Sequence, residues 1–191
     1  MGTLMESWPQ RHRITADEYH RMAEVGLLAP DARVELIEGE IIDMAPIGKD
    51  HMSVVDQLTR LFIRAVGDDA IVRIQGSVRL SQMSEPEPDV VLLKPRPDFY
   101  RSEFASAADT LLVIEVSDSS LRYDRDFKVP FYARHGVPEV WIVDLQHDQL
   151  LVYDSPSAGM YARHTSAVQP WIMPVTALPG IAVDLSSVFA A

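Results

Sequence analysis

The chain has 191 residues, 47% hydrophobic and 24% charged, a balance that suits one soluble globular domain with a sizeable core and excludes a disordered chain. Seventeen Lys and Arg against 28 Asp and Glu give a formal net charge of -11, which excludes general electrostatic attraction to nucleic acid and makes any such role a local one. Cysteine is absent, so disulfides, thiolate zinc sites and thiol nucleophiles are excluded and a metal must rest on oxygen or imidazole.

Thr15-Ala-Asp-Glu18 has the spacing of a capping box, in which hydroxyl and carboxylate satisfy free N–H groups at a helix start, and predicts a short helix to about Glu24. Residues 33–37 and 40–44 flank Glu38-Gly39, and a Gly in the second turn position accepts the positive φ of a tight hairpin. Met52, Val55, Leu58, Phe62 and Val66 recur every three or four positions, predicting an amphipathic helix over 51–66. Residues 71–80, broken at Gly76, read as strand. Residues 89–93, 111–116 and 140–144 are short β-branched apolar runs, the pattern of neighbouring strands buried on both faces of one sheet. Residues 124–135, closed by Gly136, read as a helix between the last two strands, which predicts a βαβ crossover. Pro130 conflicts with that helix, because inside one it removes a backbone bond and crowds the preceding turn at about 3 kcal/mol, so the helix must begin late or bend. Residues 149–153 and 161–168 form a second hairpin around 155–159, and a C-terminal apolar hairpin surrounds Trp171 and Ile172. The architecture expected is α/β, a mixed sheet with helices packed on it.

The chemistry lies in acidic residues at the ends of buried strands. Asp89 opens an apolar run just after Glu85-Pro-Glu-Pro88, and Glu115 sits within Val113-Ile-Glu-Val-Ser117 among residues that belong in a core. A lone carboxylate there is costly unless it is paired, hydrogen-bonded or bound to a cation. Two partners stand open: a hard cation such as Mg2+, which takes one or two carboxylates with waters and phosphate oxygens, or a buried ion pair with an arginine such as Arg122 or Arg125. Asp89 in the plainer reading simply starts its strand. Asp124, Lys128 and Tyr132 fall four residues apart on one helix face. A lysine there can orient a water and stabilise charge on phosphate; the alternative is a solvated face with an Asp124–Lys128 pair worth about 0.3 to 0.5 kcal/mol. His51, at a helix start, is a substrate-phosphate contact, a cap or an exposed surface residue, and Tyr132 is the second candidate substrate contact. The remaining histidines, His12, His20, His135, His147 and His164, show no spacing such as HExxH, which argues against a zinc hydrolase.

Together these residues resemble the PD-(D/E)XK nuclease superfamily. Pro88-Asp89 and Glu115 match the first two parts of its pattern, whereas Ser117 stands at the expected lysine position; the lysine of some members has migrated to the following helix, and Lys128 is placed to match them. The chain is similar, more specifically, to the Uma-type family of small bacterial restriction-endonuclease-like proteins over residues 15–185. The similarity is carried by Val34-Glu-Leu-Ile-Glu-Gly-Glu40, Pro86-Glu-Pro-Asp-Val90, Val113-Ile-Glu-Val-Ser117 leading into Asp124-Arg-Asp-Phe-Lys128, and Tyr132-Ala-Arg-His-Gly-Val137 with Glu139-Val-Trp-Ile-Val-Asp144. The resemblance implies a restriction-endonuclease-like mixed β-sheet core flanked by helices, with added β-hairpins. It further implies Mg2+ or Mn2+ on Asp89, Glu115 and the carbonyl of Val116, Lys128 assisting the attacking water, and Glu35 as an additional catalytic carboxylate. The alternative for Glu35, between Val34 and Leu36 of an alternating strand, is a side chain facing water.

Two functions of different classes follow. The first is a metal-dependent endonuclease acting on DNA, with Arg60, Arg64, Arg73 and Arg79 as a local basic strip. The second is a catalytically weak binding or regulatory module, a homodimer through the hairpin around Trp171 and Ile172. Glycoside hydrolysis by Asp89 and Glu115 requires a raised pKa on one of them, and no sugar platform accompanies them. No apolar run approaches the roughly 20 residues of a bilayer span and the N-terminus has no apolar segment of a secretory signal. The expectation is a cytoplasmic protein with a tail over 1–14 and one domain over 15–191.

Overall fold

In the computed structural model, which describes residues 11–168 and 171–189, local sequence chemistry sets each element before packing joins them. Helix α1 (Ala16–Glu24) begins at the capping box, with Glu18 N donating to Thr15 Oγ1 at 3.2 Å and Thr15 N to Glu18 Oε2 at 2.7 Å. Strands β1 (Val34–Ile37) and β2 (Glu40–Asp43) form the first hairpin. Its turn residues Glu38 and Gly39 both have positive φ, 49° and 79°, the conformation whose twist matches the flanking strands. A Cβ on Gly39 would lie 2.6 Å from Arg13 Cβ and 3.2 Å from its Cα. Gly39→Ala therefore meets both backbone strain and a clash, and is expected to cost about 1 to 3 kcal/mol, read as a lower urea midpoint at unchanged slope.

Helix α2 (Lys49–Val66) buries Val54, Val55, Leu58, Phe62 and Val66. Met52, expected on that face, is half exposed, because the first turn directs His51 inward onto Asp89 instead. The central sheet has the order β3-β4-β5-β6-β7-β8, with β3 (Ile71–Ile74), β4 (Val90–Leu93), β5 (Thr110–Ser117), β6 (Glu139–Asp144), β7 (Gln149–Ser157) and β8 (Met160–Val168). Strands β5 and β6 run parallel and the other neighbours antiparallel, so the expected crossover and the expected adjacency of the three apolar runs are both present. The strand read over 71–80 stops at Ile74: Gln75 adopts φ 44° and the chain leaves the sheet there. The second hairpin is longer than expected, and its turn shrinks to Ala158 and Gly159.

The crossover runs through α3 (Leu121–Tyr123), a π-helical segment (Asp124–Lys128) and α4 (Val129–Arg134). This arrangement resolves the Pro130 conflict. Val129 N donates to Asp124 O, five residues back, and the widened turn places Pro130 in the first turn of α4, the position where a helix tolerates proline.

Alternation divides the core between two faces of the sheet. Val90, Leu92, Ile114, Val116, Trp141 and Val143 pack against α2, and Val91, Leu93, Val113, Val140 and Ile142 against Phe131 and Tyr132 of α4. Glu115 lies between Ile114 and Val116, so its side chain falls on the crossover side. At the C-terminus β9 (Ile172–Pro174) pairs with β10 (Ala182–Asp184). Val175, Val183, Leu185 and Phe189 close the α2 core, whereas Trp171 and Ile172 are exposed. Among the described residues no helix is long and apolar enough to cross a membrane.

Candidate functional site

At the start of β4 the sheet opens into a cleft of about 320 Å³, walled by β1, residues 44–48, the first turn of α2, the end of β5 and residues 118–124. Asp89 stands one step before Val90, whose partner is Ile114, so the register sets Asp89 across from Glu115. Cross-strand neighbours of this kind share a face, with Cβ atoms roughly 5 Å apart. Asp89 Oδ2 accepts from Val116 N at 2.9 Å and is 3.1 Å from His51 Nε2. A carboxylate only accepts, so Nε2 carries the proton of that bond, and His51 Nδ1 is left buried without a partner among the described residues.

Glu115 is 3% exposed and its Oε1 accepts twice, from Lys128 Nζ at 3.2 Å and from the Tyr132 hydroxyl at 2.7 Å. Lys128 also lies 3.3 Å from Glu35 Oε1, and Glu35 Oε2 accepts from Glu87 N at 3.2 Å. Asp124, one turn before Lys128, accepts from Ser117 Oγ at 2.7 Å and Ser120 Oγ at 2.5 Å. The helix face of Asp124, Lys128 and Tyr132 is thus buried rather than solvated, and Lys128 pairs with Glu35 and Glu115 rather than with Asp124. Glu35 is buried too, not facing water. Tyr132 has no exposed surface, and its hydroxyl holds Glu115; this burial removes it from substrate contact. The partner of Glu115 is neither Arg122 nor Arg125: both are spent on exposed Asp126. Ser117, at the position where the superfamily pattern has lysine, anchors Asp124 and with it the start of the segment that delivers Lys128.

Seven carboxylates line the cleft (Glu35, Asp43, Glu87, Asp89, Glu115, Asp118 and Asp124) against two cations, Arg33 and Lys128. Burial, reinforced by Asp124, Asp89 and Glu35, pushes Glu115 up to about 8 against the pull of Lys128. Burial opposes the charge of Lys128, yet Glu115, Glu35 and Asp124 together hold it above the ordinary lysine value, so it stays cationic. Burial also raises Glu87, and burial with Glu35 pushes Tyr123 up to about 12.

Asp89 Oδ1 and Glu115 Oε2 make no hydrogen bond among the described residues, and neither is enclosed, since His51 Nδ1 is the one buried side-chain atom left without a partner there. Both oxygens therefore open toward the cleft. The N–H and C=O of a strand residue point to the same side, so the Val116 carbonyl faces Asp89 as its amide does. Two carboxylate oxygens and a carbonyl are a hard oxygen set that fits Mg2+ or Mn2+, with waters or substrate completing the shell. Among the described residues no three Asp, Glu, His or Cys side chains gather as a metal-binding group.

The expected basic strip is reduced: Arg79 is neutralised by Glu85 and Asp17, and Arg73 lies over the Tyr100 ring. Sequence reasoning did not find Arg33, Glu87 or Tyr123 in the cleft. Arg33 carried a usable signal, because it stands two residues before Glu35 and alternate residues of an extended strand share a face.

The Uma2 family model, described as "Putative restriction endonuclease", matches residues 16–186. A crystal structure from Anabaena variabilis ATCC 29413, described as a putative nuclease belonging to DUF820, superposes with a TM-score of 0.69 at 18% identity, covering 93% of this chain and 98% of that one. That likeness shows the fold. No curated protein matches the chain. With the six-stranded mixed sheet and its crossover helix, the match over nearly the whole length makes the chain a member of the Uma2 family, within the PD-(D/E)XK nuclease superfamily.

Proposed function

We propose that the protein is a Mg2+- or Mn2+-dependent endonuclease that hydrolyses phosphodiester bonds in DNA. The observation that carries this reading is the buried Lys128 ammonium, held by Glu35 and Glu115 beside two carboxylate oxygens that open into one cleft. Asp89, Glu115 and the Val116 carbonyl would hold the cation, which when bound lowers the pKa of water and neutralises charge on the scissile phosphate. The protein's own groups do the positioning. His51 and Val116 N fix Asp89, Tyr132 fixes Glu115, and Glu35 shares Lys128 so that its ammonium stays charged at the cleft floor. That ammonium orients the attacking water and stabilises charge that develops on phosphate, in a site already organised before reaction.

The test is incubation of the pure protein with plasmid, linear and single-stranded DNA in Mg2+ and in Mn2+, beside a melting experiment. Expected are metal-dependent cleavage and a rise in melting temperature on adding either cation, because the ion binds the folded state preferentially. Asp89→Asn is expected to abolish both. Equal thermal shifts in wild type and Asp89→Asn would reject the metal assignment. DNA binding without cleavage in either metal would instead support the non-catalytic module.

A further inference from the structure

A phosphodiester is anionic and only accepts hydrogen bonds, whereas most charged groups around this cleft are carboxylates, which repel it. Donors are therefore the scarce commodity. Lys128 is 6% exposed and already shared by two carboxylates. Arg33 is different. Its Nη1 donates to Ala45 O at 2.7 Å, its carbonyl accepts from Met44 N at 2.9 Å, and no carboxylate lies within ion-pair distance of it among the described residues. Those two bonds fix the residue to the base of the first hairpin and leave the rest of the guanidinium fork, whose shape matches phosphate oxygens, unengaged.

Tyr123 lines the same cleft, and its hydroxyl makes no hydrogen bond among the described residues. Its ring is held in place by Phe127, stacked at 5.0 Å and 15°, with Lys128 Nζ 6.0 Å from the ring centroid. The hydroxyl is a donor throughout the physiological range, because burial and the nearby carboxylates keep it protonated to about pH 12.

We infer that Arg33 and the Tyr123 hydroxyl form a binding subsite for a phosphodiester of the substrate strand, Arg33 from the β1 side of the cleft and Tyr123 from the α3 side. The subsite deepens the nuclease reading and rests on it for the identity of the strand. Arg33 supplies charge and a two-pronged grip; Tyr123 supplies one neutral donor. Neither takes part in holding the cation or orienting water.

The test uses the full chain in Ca2+, which binds hard oxygen donors, with a short fluorescein-labelled single-stranded oligonucleotide as probe, and cleavage assayed separately in Mg2+. Arg33→Gln is expected to weaken binding about 10-fold or more and to make the slope of log Kd against log salt shallower by about 0.7 to 0.9, the signature of one lost phosphate contact. Tyr123→Phe keeps the stacked ring and is expected to weaken binding about 3- to 10-fold at unchanged slope, as loss of one neutral hydrogen bond does. In cleavage both raise KM more than they lower kcat. If Arg33 merely braces the hairpin through Ala45, Arg33→Gln lowers the melting temperature and leaves the salt slope unchanged, and the subsite is wrong. Wild type that fails to bind the oligonucleotide overturns it as well. Binding that depends on Arg33 without cleavage would sink the nuclease reading and leave the subsite standing; cleavage with Arg33→Gln indistinguishable from wild type would do the reverse.

Discussion

Lys128→Ala is expected to lower turnover by about 100-fold or more, the usual scale for removing one preorganised group that stabilises charge in a transition state. The structure adds a second effect. Glu35 lies against this ammonium and is buried with it, and breaking a buried pair by removing one partner typically costs roughly 3 to 5 kcal/mol. The variant should thus be less stable as well as slow, and turnover must be referred to the folded fraction. Lys128→Met keeps the aliphatic stem, so it spares the packing while losing the same ammonium. Lys128→Arg should rescue poorly, since a planar fork does not fit the space of an ammonium between Glu35 and Glu115. Folded Lys128→Met that cleaves DNA as fast as wild type would reduce Lys128 to a structural counter-ion.

The second large effect concerns pH. Glu115 has its folded-state pKa raised from 4.5 to about 8, chiefly by burial. Between those values the folded metal-free protein holds a proton that the unfolded chain has released, so stability is fullest below about pH 4.5 and falls as pH rises toward 8. A cation on Glu115 needs the carboxylate ionised, and binding must expel that proton. Apparent Mg2+ affinity is therefore expected to climb nearly tenfold per pH unit between about pH 5 and pH 8 and then level off. Calorimetric titrations in buffers of different ionisation enthalpy would report the released proton directly. Glu115→Gln should flatten the stability profile in the same window, while an Mg2+ affinity constant from pH 6 to 8 would show that Glu115 is not a ligand.

Much of the fold was legible because its strongest signals are local. The β-branched runs around Val91, Val113 and Ile142 had no stable place except a doubly covered sheet, and Glu38-Gly39 specified its own turn. The acidic pair was legible for the same reason: a carboxylate between Ile114 and Val116 demands a partner. What could not be read was which partner. Spacing put Lys128 on a face with Asp124 and Tyr132, but only packing of the crossover against β5 turns that face inward and brings Glu35, from a hairpin distant in sequence, to the other side of the ammonium. The Arg33 and Tyr123 donors were hidden likewise, because neither has meaning until the hairpin and the crossover close on one cleft.

The widened turn ahead of Pro130 also sets the phase of everything after it. A π-helical turn holds one residue more than the α-helical turn it replaces, and each residue rotates a helix by about 100°. Deleting exposed Arg125 would return the backbone to ordinary pitch, and Lys128, two residues before Pro130, would keep its distance along the axis while losing its angular setting relative to the preceding turn. The spare residue thus works as a one-notch gear between Asp124, anchored on β5 through Ser117, and the proline-capped helix beyond it. A lysine delivered from the crossover rather than from a strand needs such a gear, since identity alone would give it charge without aim.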